Sequence, residues 1–322
     1  MIVALAGGVG GARMAHGLAR ALPADGLAVI VNTGDDFDHY GLRICPDLDT
    51  VLYTLAGLAN ETTGWGVVDD TDDAMGMLRR YGEETWFRLG DRDLATSLLR
   101  TQRLRAGASL SDVTSQLALA LGVSTVLLPM SDDPVATIIK TPDGELPFQE
   151  YFVRRGHRDT VFGARLEGIG RARATPLALA ALARAEAIII CPSNPVLSIG
   201  PILQVSGIRA AIEAARAAGA PVVAVSPIIG GRAVKGPAAG NLASQGVEVS
   251  PLGVARWYDG LLDGLALDNA DAALAPAIEA MGVHPLVTDI IMHGVDGRER
   301  LAREALAFAR GVRAGPRNTQ ER

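Results

Sequence analysis

The chain has 322 residues, of which 48% are hydrophobic, and its formal net charge is -6 at pH 7. A chain of this length can bury a sizeable core, whereas the negative charge argues against a general nucleic-acid-binding protein. Its two cysteines, Cys45 and Cys191, stand far apart, so the sequence contains neither a disulfide framework nor a cysteine metal motif.

The N terminus lacks a basic segment before its apolar residues, which argues against a signal peptide. The longest apolar stretch, residues 176–191, is interrupted by Arg184 and Glu186, so no segment is predicted to span a membrane. We therefore expect a soluble, cytoplasmic protein.

The first predicted elements are a strand, a glycine turn and a helix. Residues 3–6 are a short apolar run, residues 7–11 read GGVGG, and residues 12–22 have helical periodicity. Such a turn commonly binds phosphate, because free backbone N–H groups at the helix start face the anion. Arg13, however, fits neither the dinucleotide fingerprint nor the P-loop.

Five short apolar runs predict strands, and none alternates apolar and polar residues as a strand with one wet face does. They are residues 2–6, 28–31, 125–128, 187–190 and 221–225. Alanine- and leucine-rich segments of helical periodicity separate them. The pattern predicts an α/β fold, a doubly wound, mostly parallel Rossmann-like sheet in a single domain over residues 1–312.

Two stretches depart from this alternation. Residues 60–121 predict a helical insertion, which includes a capped helix in SLSDVTSQLALALG ending at Gly122. Residues 134–153 predict two strands around a Pro-Asp-Gly-Glu turn, a β-hairpin. Residues 313–322 predict a disordered tail.

An acidic segment, NTGDDFDHYGLRICPDLDTVLY, follows the second predicted strand. Asp47 and Asp49 stand at the start of its apolar helical run, where either could be an N-cap and leave the other free for Mg²⁺. We take both as candidate catalytic carboxylates and metal ligands. The acidic run at residues 69–73 is typical of a solvated helix start.

Polar residues also follow the other predicted strands, where ligands bind in an open α/β sheet. Ser193 and Asn194 follow the fourth strand and Ser226 follows the fifth. The chain contains no nucleophile elbow, zinc-binding helix or kinase signature. The glycine turn, carboxylates and arginines favour phosphoryl-group chemistry, which depends on positioning and charge neutralisation.

The chain resembles the 2-phospho-L-lactate transferase family (CofD) over residues 1 to about 310. Seven segments occur in that family's order: AGGVGGAR, VNTGDD, CPDLDTVLY, RLGDRDLAT, LPMSDDPV, PSNPVLSIGPIL and SPIIGG. The resemblance implies an enzyme of coenzyme F-420 biosynthesis. Such an enzyme moves 2-phospho-L-lactate, phosphoenolpyruvate or phosphoglycerate from a GDP-type donor, such as lactyl-2-diphospho-5′-guanosine, to the ribityl hydroxyl of the deazaflavin Fo. The products are GMP and F-420-0 or its dehydro form.

The resemblance also implies Mg²⁺ as cofactor, a homodimer and roles for individual residues. It assigns the donor phosphates to Gly7, Gly8, Gly10 and Gly11, and the nucleotide to Ser193, Asn194 and Ser226. It assigns Fo to Asp49, Arg88, Asp91 and Arg92, with Asp47 as partner of Asp49. On this basis Asp49→Asn should abolish turnover and leave the fold intact.

Two other functions stay open. A nicotinamide-dependent oxidoreductase could use the glycine turn, but Arg13 and Asn32 stand where its fingerprint needs a small residue and a ribose-binding acid. A non-catalytic nucleotide-sugar-binding regulatory protein of the related gluconeogenesis-factor-like branch is the second. The segments CPDLDTVLY and RLGDRDLAT, which the resemblance places against Fo, favour the transferase.

Overall fold

The computed structural model describes residues 1–312, so the predicted tail at 313–322 lies outside the described residues. The first half of the chain contains β1 (Ile2–Ala6), α1 (Gly8–Ala21), β2 (Leu27–Val31), β3 (Phe37–His39), β4 (Leu42–Ile44), α2 (Pro46–Leu55), α3 (Asp73–Arg80), α4 (Asp91–Arg105), α5 (Leu110–Ala120), β5 (Val126–Pro129), β6 (Ala136–Thr141) and β7 (Gly144–Pro147).

The second half begins with a strand that pairs with β6 and ends with a helix of 18 residues. It contains β8 (Gly163–Glu167), α6 (Pro176–Ala183), β9 (Ala187–Ile190), α7 (Gly200–Gln204), α8 (Ile208–Ala217), β10 (Val222–Val225), β11 (Ile228–Ile229), β12 (Arg232–Ala233), α9 (Ala238–Ser244), α10 (Pro251–Trp257), β13 (Gly264–Leu267), α11 (Ala275–Glu279), β14 (His284–Val287) and α12 (Gly294–Gly311).

Seven parallel strands form the central sheet in the order β14-β13-β10-β9-β1-β2-β5. From β1 the chain first builds the sheet outward through β2 and β5, and then returns to place β9 on the other side of β1. The strand order therefore reverses between β1 and β9. In open α/β sheets this reversal leaves a crevice at the carboxyl ends of the two strands.

Helices cover both faces of the sheet because successive side chains of a strand point to opposite faces. In β1, Val3 and Leu5 join one core with residues of α6 to α10, whereas Ala4 and Ala6 join the other with α1, α2 and α12. All five residues of β1 are buried. The predicted doubly wound α/β fold is confirmed.

The structure differs from the sequence prediction at several elements. β13 and β14 were not predicted, since Gly264 and Pro285 stand at the start of their short apolar runs. The hairpin β6–β7 is present, and β8 adds a third antiparallel strand to it. Helix α1 begins at Gly8, so the tight turn predicted over residues 7–11 is wrong for residues 8–11, which form the first turn of the helix.

The predicted helical insertion contains α3, α4 and α5. Ser109 caps α5 in a reciprocal capping box with Asp112, as the sequence SLSD predicts. Helix α2 begins after Cys45 with Pro46 in its first turn, so neither Asp47 nor Asp49 is its N-cap. Among residues 1–312, no helix combines the length and apolar character needed to cross a membrane.

Candidate active site

A cavity of about 630 Å³ opens at the carboxyl edge of the sheet, where the strand order reverses. Its floor is the start of α1 together with the loop after β9. Its sides come from α2, the segment before α4, the hairpin region and the loop before α9. Its lining includes Gly7, Gly8, Gly10, Asp35, Asp47, Asp49, Trp65, Trp86, Phe87, Arg88, Asp93, Phe148, Phe152, Ser193, Asn194 and Lys235.

The N terminus of the fourteen-residue helix α1 forms the floor of the cavity. The first turn of α1 contains no acidic side chain, and Gly7 precedes it without a side-chain cap. The Gly7 amide donates to Ser193 Oγ at 3.0 Å. Because the first amides of a helix have no partner within the helix, this floor is suited to bind an anion.

Gly11, which the resemblance assigns to the donor phosphates, lies outside the cavity lining. A Cβ atom on Gly11 would lie 2.5 Å from Ser193 Oγ and 3.0 Å from Ala6 Cβ. The absence of a side chain there lets α1 pack against β1 and the loop after β9. Gly7, Gly8 and Gly10 do line the cavity.

Two buried carboxylates, Asp35 and Asp47, stand together on one side of the glycine floor. Burial raises the pKa of Asp47 to about 6, although hydrogen bonds from Asn32 and the Gly8 amide oppose the shift. Burial and the nearby Asp47 raise the pKa of Asp35 well above its usual range. Among the described residues, neither carboxylate has a cationic side chain as partner.

Asp49 faces the cavity but is held from behind by Arg100. The guanidinium donates from both terminal nitrogens to the two oxygens of Asp49, one of them at 3.1 Å. Both residues are buried, with side-chain exposures of 2% for Arg100 and 7% for Asp49. Burial raises the pKa of Asp49, and the charge of Arg100 opposes that effect. Asp49 is thus already paired with a cation, unlike Asp47.

The segment RLGDRD contributes Arg88 and Asp93 to the cavity, but not Asp91 or Arg92. Asp91 accepts hydrogen bonds at 3.0 Å from the backbone amides of Asp73 and Ala74, so it caps α3. Arg92 donates to the carbonyl of Val68 at 3.0 Å. The structure therefore does not bring Asp91 and Arg92 to the cavity: Asp91 joins α4 to α3, and Arg92 joins α4 to the segment before α3.

The resemblance assigns three residues to the nucleotide, and only two of them line the cavity. Ser193 and Asn194 line the cavity, and Asn194 also caps the following turn by accepting from Val196 and Leu197. Ser226 is fully buried, and its hydroxyl both donates to the carbonyl and accepts from the amide of Ile228. The structure therefore does not bring Ser226 to the cavity with Ser193 and Asn194, and its hydroxyl stabilises the turn after β10.

Aromatic side chains form the wall opposite the glycine floor. Phe148 and Phe152 stack at 5.3 Å between ring centroids, and Trp86 packs edge-on against Phe87 at 5.8 Å. Trp65, which is 45% exposed, stands at the mouth of the cavity. A cavity with an anion-binding floor and an aromatic wall suits a ligand that combines phosphate with a planar ring system.

Comparison with known proteins assigns the chain to a family. The family model of 2-phospho-L-lactate transferase CofD matches residues 2–298. The chain belongs to the CofD family. It is therefore an enzyme, a phosphotransferase of the type that acts in coenzyme F-420 synthesis.

Relatives of this CofD-family chain carry two names. It is 47% identical to a phosphoenolpyruvate transferase of Kitasatospora aureofaciens, over 98% of this chain and 99% of the relative. It is 38% identical to a 2-phospho-L-lactate transferase of Methanosarcina mazei, over 94% of this chain and 98% of the relative. A UPF0052-family protein of Bacillus halodurans has the same fold, with a TM-score of 0.63 and 15% identity over 95% of this chain and 98% of that protein.

Three lining residues of the CofD-family cavity were not singled out from the sequence. Asp35 belongs to the segment VNTGDD, whose pattern assigns it no role of its own, and the predicted site residues do not include Gln149 or Lys235. Gln149 Nε2 donates to the carbonyl of Asp35 at 3.2 Å, which ties the hairpin region to the carboxylate segment. The GGRAVKGP segment could have pointed to Lys235, because it places a lysine between glycines after a predicted strand.

Asp93→Asn is expected to stabilise the folded enzyme at high pH. Burial, followed by the neighbouring charge of Asp49, raises the pKa of Asp93 from 3.8 to about 7, and Tyr53 donates to it at 2.9 Å. The folded state therefore binds more protons than the unfolded chain between these values, so stability falls as pH rises through them. Relative to wild type, Asp93→Asn should gain on the order of 2 kcal/mol between pH 5 and pH 8.

Urea denaturation of both proteins at pH 5 and pH 8 measures this gain. Asp25→Asn, which changes an exposed carboxylate, is the matched control. An equal stability difference between Asp93→Asn and wild type at the two pH values would show that Asp93 does not hold its proton in the folded state.

Proposed function

We propose that the enzyme transfers a phosphoenolpyruvate group from a GDP-linked donor to the terminal ribityl hydroxyl of Fo, with Mg²⁺ as cofactor. The hydroxyl oxygen forms a bond to the phosphorus that carries the three-carbon acid, and the bond from that phosphorus to GMP breaks. The hydroxyl proton is released. The products are GMP and the dehydro form of F-420-0.

One observation carries the proposal. A single cavity contains an anion-binding helix start, two buried carboxylates that have no cationic partner among the described residues, and an aromatic wall. The amides at the start of α1 support binding of the donor's diphosphate, because they point a partial positive charge at it. Ser193 and Asn194 lie beside this floor, where the nucleotide would continue from its phosphates.

Asp35 and Asp47 are the residues that fit Mg²⁺. No group of three Asp, Glu, His or Cys residues in the described part of the chain is placed to hold a metal ion by itself. Mg²⁺, however, usually binds one or two carboxylates and completes its shell with water and substrate phosphates. The close pair of raised-pKa carboxylates favours a bound cation, since a divalent ion would offset their repulsion. Bound there, Mg²⁺ would neutralise charge on the transferred phosphate.

The acceptor side of the cavity is formed by the aromatic wall and Asp49. The planar rings of Trp86 and Phe148 offer stacking surface for the deazaflavin ring system, and Arg88 lies at the same end. A carboxylate has about four lone-pair positions, so Asp49 can accept from a ribityl hydroxyl while Arg100 occupies its other side. We therefore assign Asp49 to orienting the acceptor hydroxyl and Asp47 to the metal.

Phosphoenolpyruvate is the favoured acid because the relatives bearing that name share 45% to 47% of their residues with this chain. The relatives named 2-phospho-L-lactate transferase share 36% to 38%. Both groups align over nearly the whole chain. Homodimer formation stays a prediction of the family resemblance, and the cytoplasmic location stays a prediction from the sequence pattern.

The decisive assay offers Fo, Mg²⁺ and each of three GDP-linked donors, carrying enolpyruvate, lactate or glycerate, and identifies the product by mass. We expect turnover with the enolpyruvyl donor to be fastest. Removal of Mg²⁺ with a chelator should stop the reaction, and Asp47→Asn should slow it by roughly 100-fold or more. Asp143→Asn, at the exposed hairpin turn, is the control.

Failure to modify Fo with any of the three donors in the presence of Mg²⁺ would overturn the proposed function. A faster reaction with the lactyl donor would overturn the choice of acid alone. Full activity of Asp47→Asn at limiting Mg²⁺ would overturn the metal assignment.

A further inference from the structure

Lysine is rare in this chain, and one of its lysines borders the active-site cavity. The sequence contains 30 Lys and Arg residues, but only two of them, Lys140 and Lys235, are lysines. Lys140 lies on strand β6 at the surface, away from the cavity. Lys235 lies in the loop between β12 and α9 and lines the cavity. Lys235 is thus the only lysine among the residues that line this cavity.

The ammonium group of Lys235 lies close to the start of helix α1. Nζ donates to the carbonyl of Thr63 at 3.4 Å. A Cβ atom on the neighbouring Gly64 would lie 2.0 Å from Nζ of Lys235 and 3.4 Å from Cγ2 of Val9. Val9 belongs to the first turn of α1. Lys235 thus reaches across the side-chain-free surface of Gly64 toward the anion-binding floor.

The charge of Lys235 is not matched by a carboxylate within ion-pair distance among the described residues. Arg88, the other cationic residue of the lining, pairs with Asp72 at 3.4 Å. Burial and the nearby charge of Arg13 lower the pKa of Lys235, whereas the carboxylate of Glu61, which pairs with Arg13 and Arg298, raises it. The exposed ammonium of Lys235 and the amides at the start of α1 thus present two positive groups to one cavity, an arrangement that attracts an anion.

We propose that Lys235 binds the phosphate oxygens of the activated donor and is held in place for this by the bare backbone of Gly64. Lysine suits the position because its ammonium is a compact point charge that can approach the Gly64 backbone, whereas a planar guanidinium is wider. Lys235 and the amides of α1 then bind the donor's diphosphate from two sides. The inference rests on the proposed function and adds Lys235 to its donor site.

Kinetics of Lys235→Met and Lys235→Arg test the role. Loss of a charge-assisted hydrogen bond to phosphate should raise the KM for the donor by about 10- to 100-fold in Lys235→Met, with the KM for Fo unchanged. Lys235→Arg should recover only part of the affinity. Lys140→Met is the matched control, since it removes the other lysine, and it should behave as wild type.

Acylation of lysine side chains gives a test that needs no turnover. The wild-type enzyme is treated briefly with acetic anhydride, and acetylation of Lys235 and Lys140 is measured by mass spectrometry. Pyrophosphate and GDP should each slow acetylation of Lys235 several-fold and leave Lys140 unchanged. Equal acetylation of Lys235 with and without both probes would overturn the inference, as would an unchanged donor KM in a folded Lys235→Met protein.

These outcomes separate the inference from the proposed function. Protection of Lys235 by pyrophosphate in an enzyme that does not modify Fo would sustain the donor-phosphate site and overturn the proposed acceptor. Normal wild-type turnover together with an unchanged donor KM in Lys235→Met would sustain the proposed function and overturn the role of Lys235.

Discussion

Asp49→Asn is expected to destabilise the fold and to abolish turnover at the same time. Asp49 is the carboxylate partner of Arg100, and both side chains are buried. The asparagine amide is neutral, so the buried guanidinium of Arg100 would lose the carboxylate to which it donates both hydrogen bonds. Breaking a buried ion pair by removing one partner typically costs about 3–5 kcal/mol. This expectation corrects the sequence-based one, in which Asp49→Asn left the fold intact.

The double variant Asp49→Leu/Arg100→Met separates stability from catalysis. Replacing both charges with apolar side chains removes the unmatched guanidinium, and such replacements of buried pairs are often neutral or stabilising. We therefore expect the double variant to regain most of the unfolding free energy and to remain inactive. Glu213→Gln is the control, because it breaks an exposed pair with Arg209 and should change stability by less than about 1 kcal/mol.

Urea denaturation and the Fo transfer assay measure the two effects independently. A double variant that is folded and fully active would show that Asp49 does not contact the acceptor. A wild-type unfolding midpoint for Asp49→Asn would show that the fold does not depend on the charge of the buried pair. Arg100→Lys should keep the charge but lose the two-nitrogen geometry, so its KM for Fo should rise while its fold persists.

The sequence predicts the central sheet well because its strands are continuous apolar runs buried on both faces. Five of the seven strands, including β1 and β9, were found from such runs. β13 and β14 were not predicted, since Gly264 and Pro285 stand at the start of their apolar runs. The site lies where the strand order reverses, so its position can be located once the order of the strands in the sheet is known.

The partners of individual carboxylates could not be predicted from the sequence. Asp49 and Arg100 are 51 residues apart and meet only because α4 packs behind α2. The carboxylate of Asp91 likewise has a partner distant in sequence, since it accepts from the backbone amides at the start of α3. The local sequence pattern identifies side chains that could bind a ligand or catalyse a reaction. The tertiary contacts decide which of these side chains already have a partner within the protein.

Gly10→Ala is expected to disrupt the donor side of the active site. A Cβ atom on Gly10 would lie 2.3 Å from the carbonyl oxygen of Pro192, a backbone atom that has no side-chain rotamer to change. The start of α1 and the loop after β9 would have to separate, which would strain the hydrogen bond between the Gly7 amide and Ser193 Oγ. Overpacking of this kind typically costs about 1–3 kcal/mol. Affinity for GDP should fall more than affinity for Fo.

Gly76→Ala is the matched control for Gly10→Ala. Gly76 lies inside α3, and a Cβ atom there meets no atom within 4 Å. Alanine is the better helix former, so this variant should be more stable by about 0.5–1 kcal/mol. Calorimetric titration with GDP measures the affinity. If Gly10→Ala bound GDP as tightly as wild type, the start of α1 would not be the donor's phosphate site, because no ordinary rearrangement could both relieve the contact with Pro192 and preserve the floor.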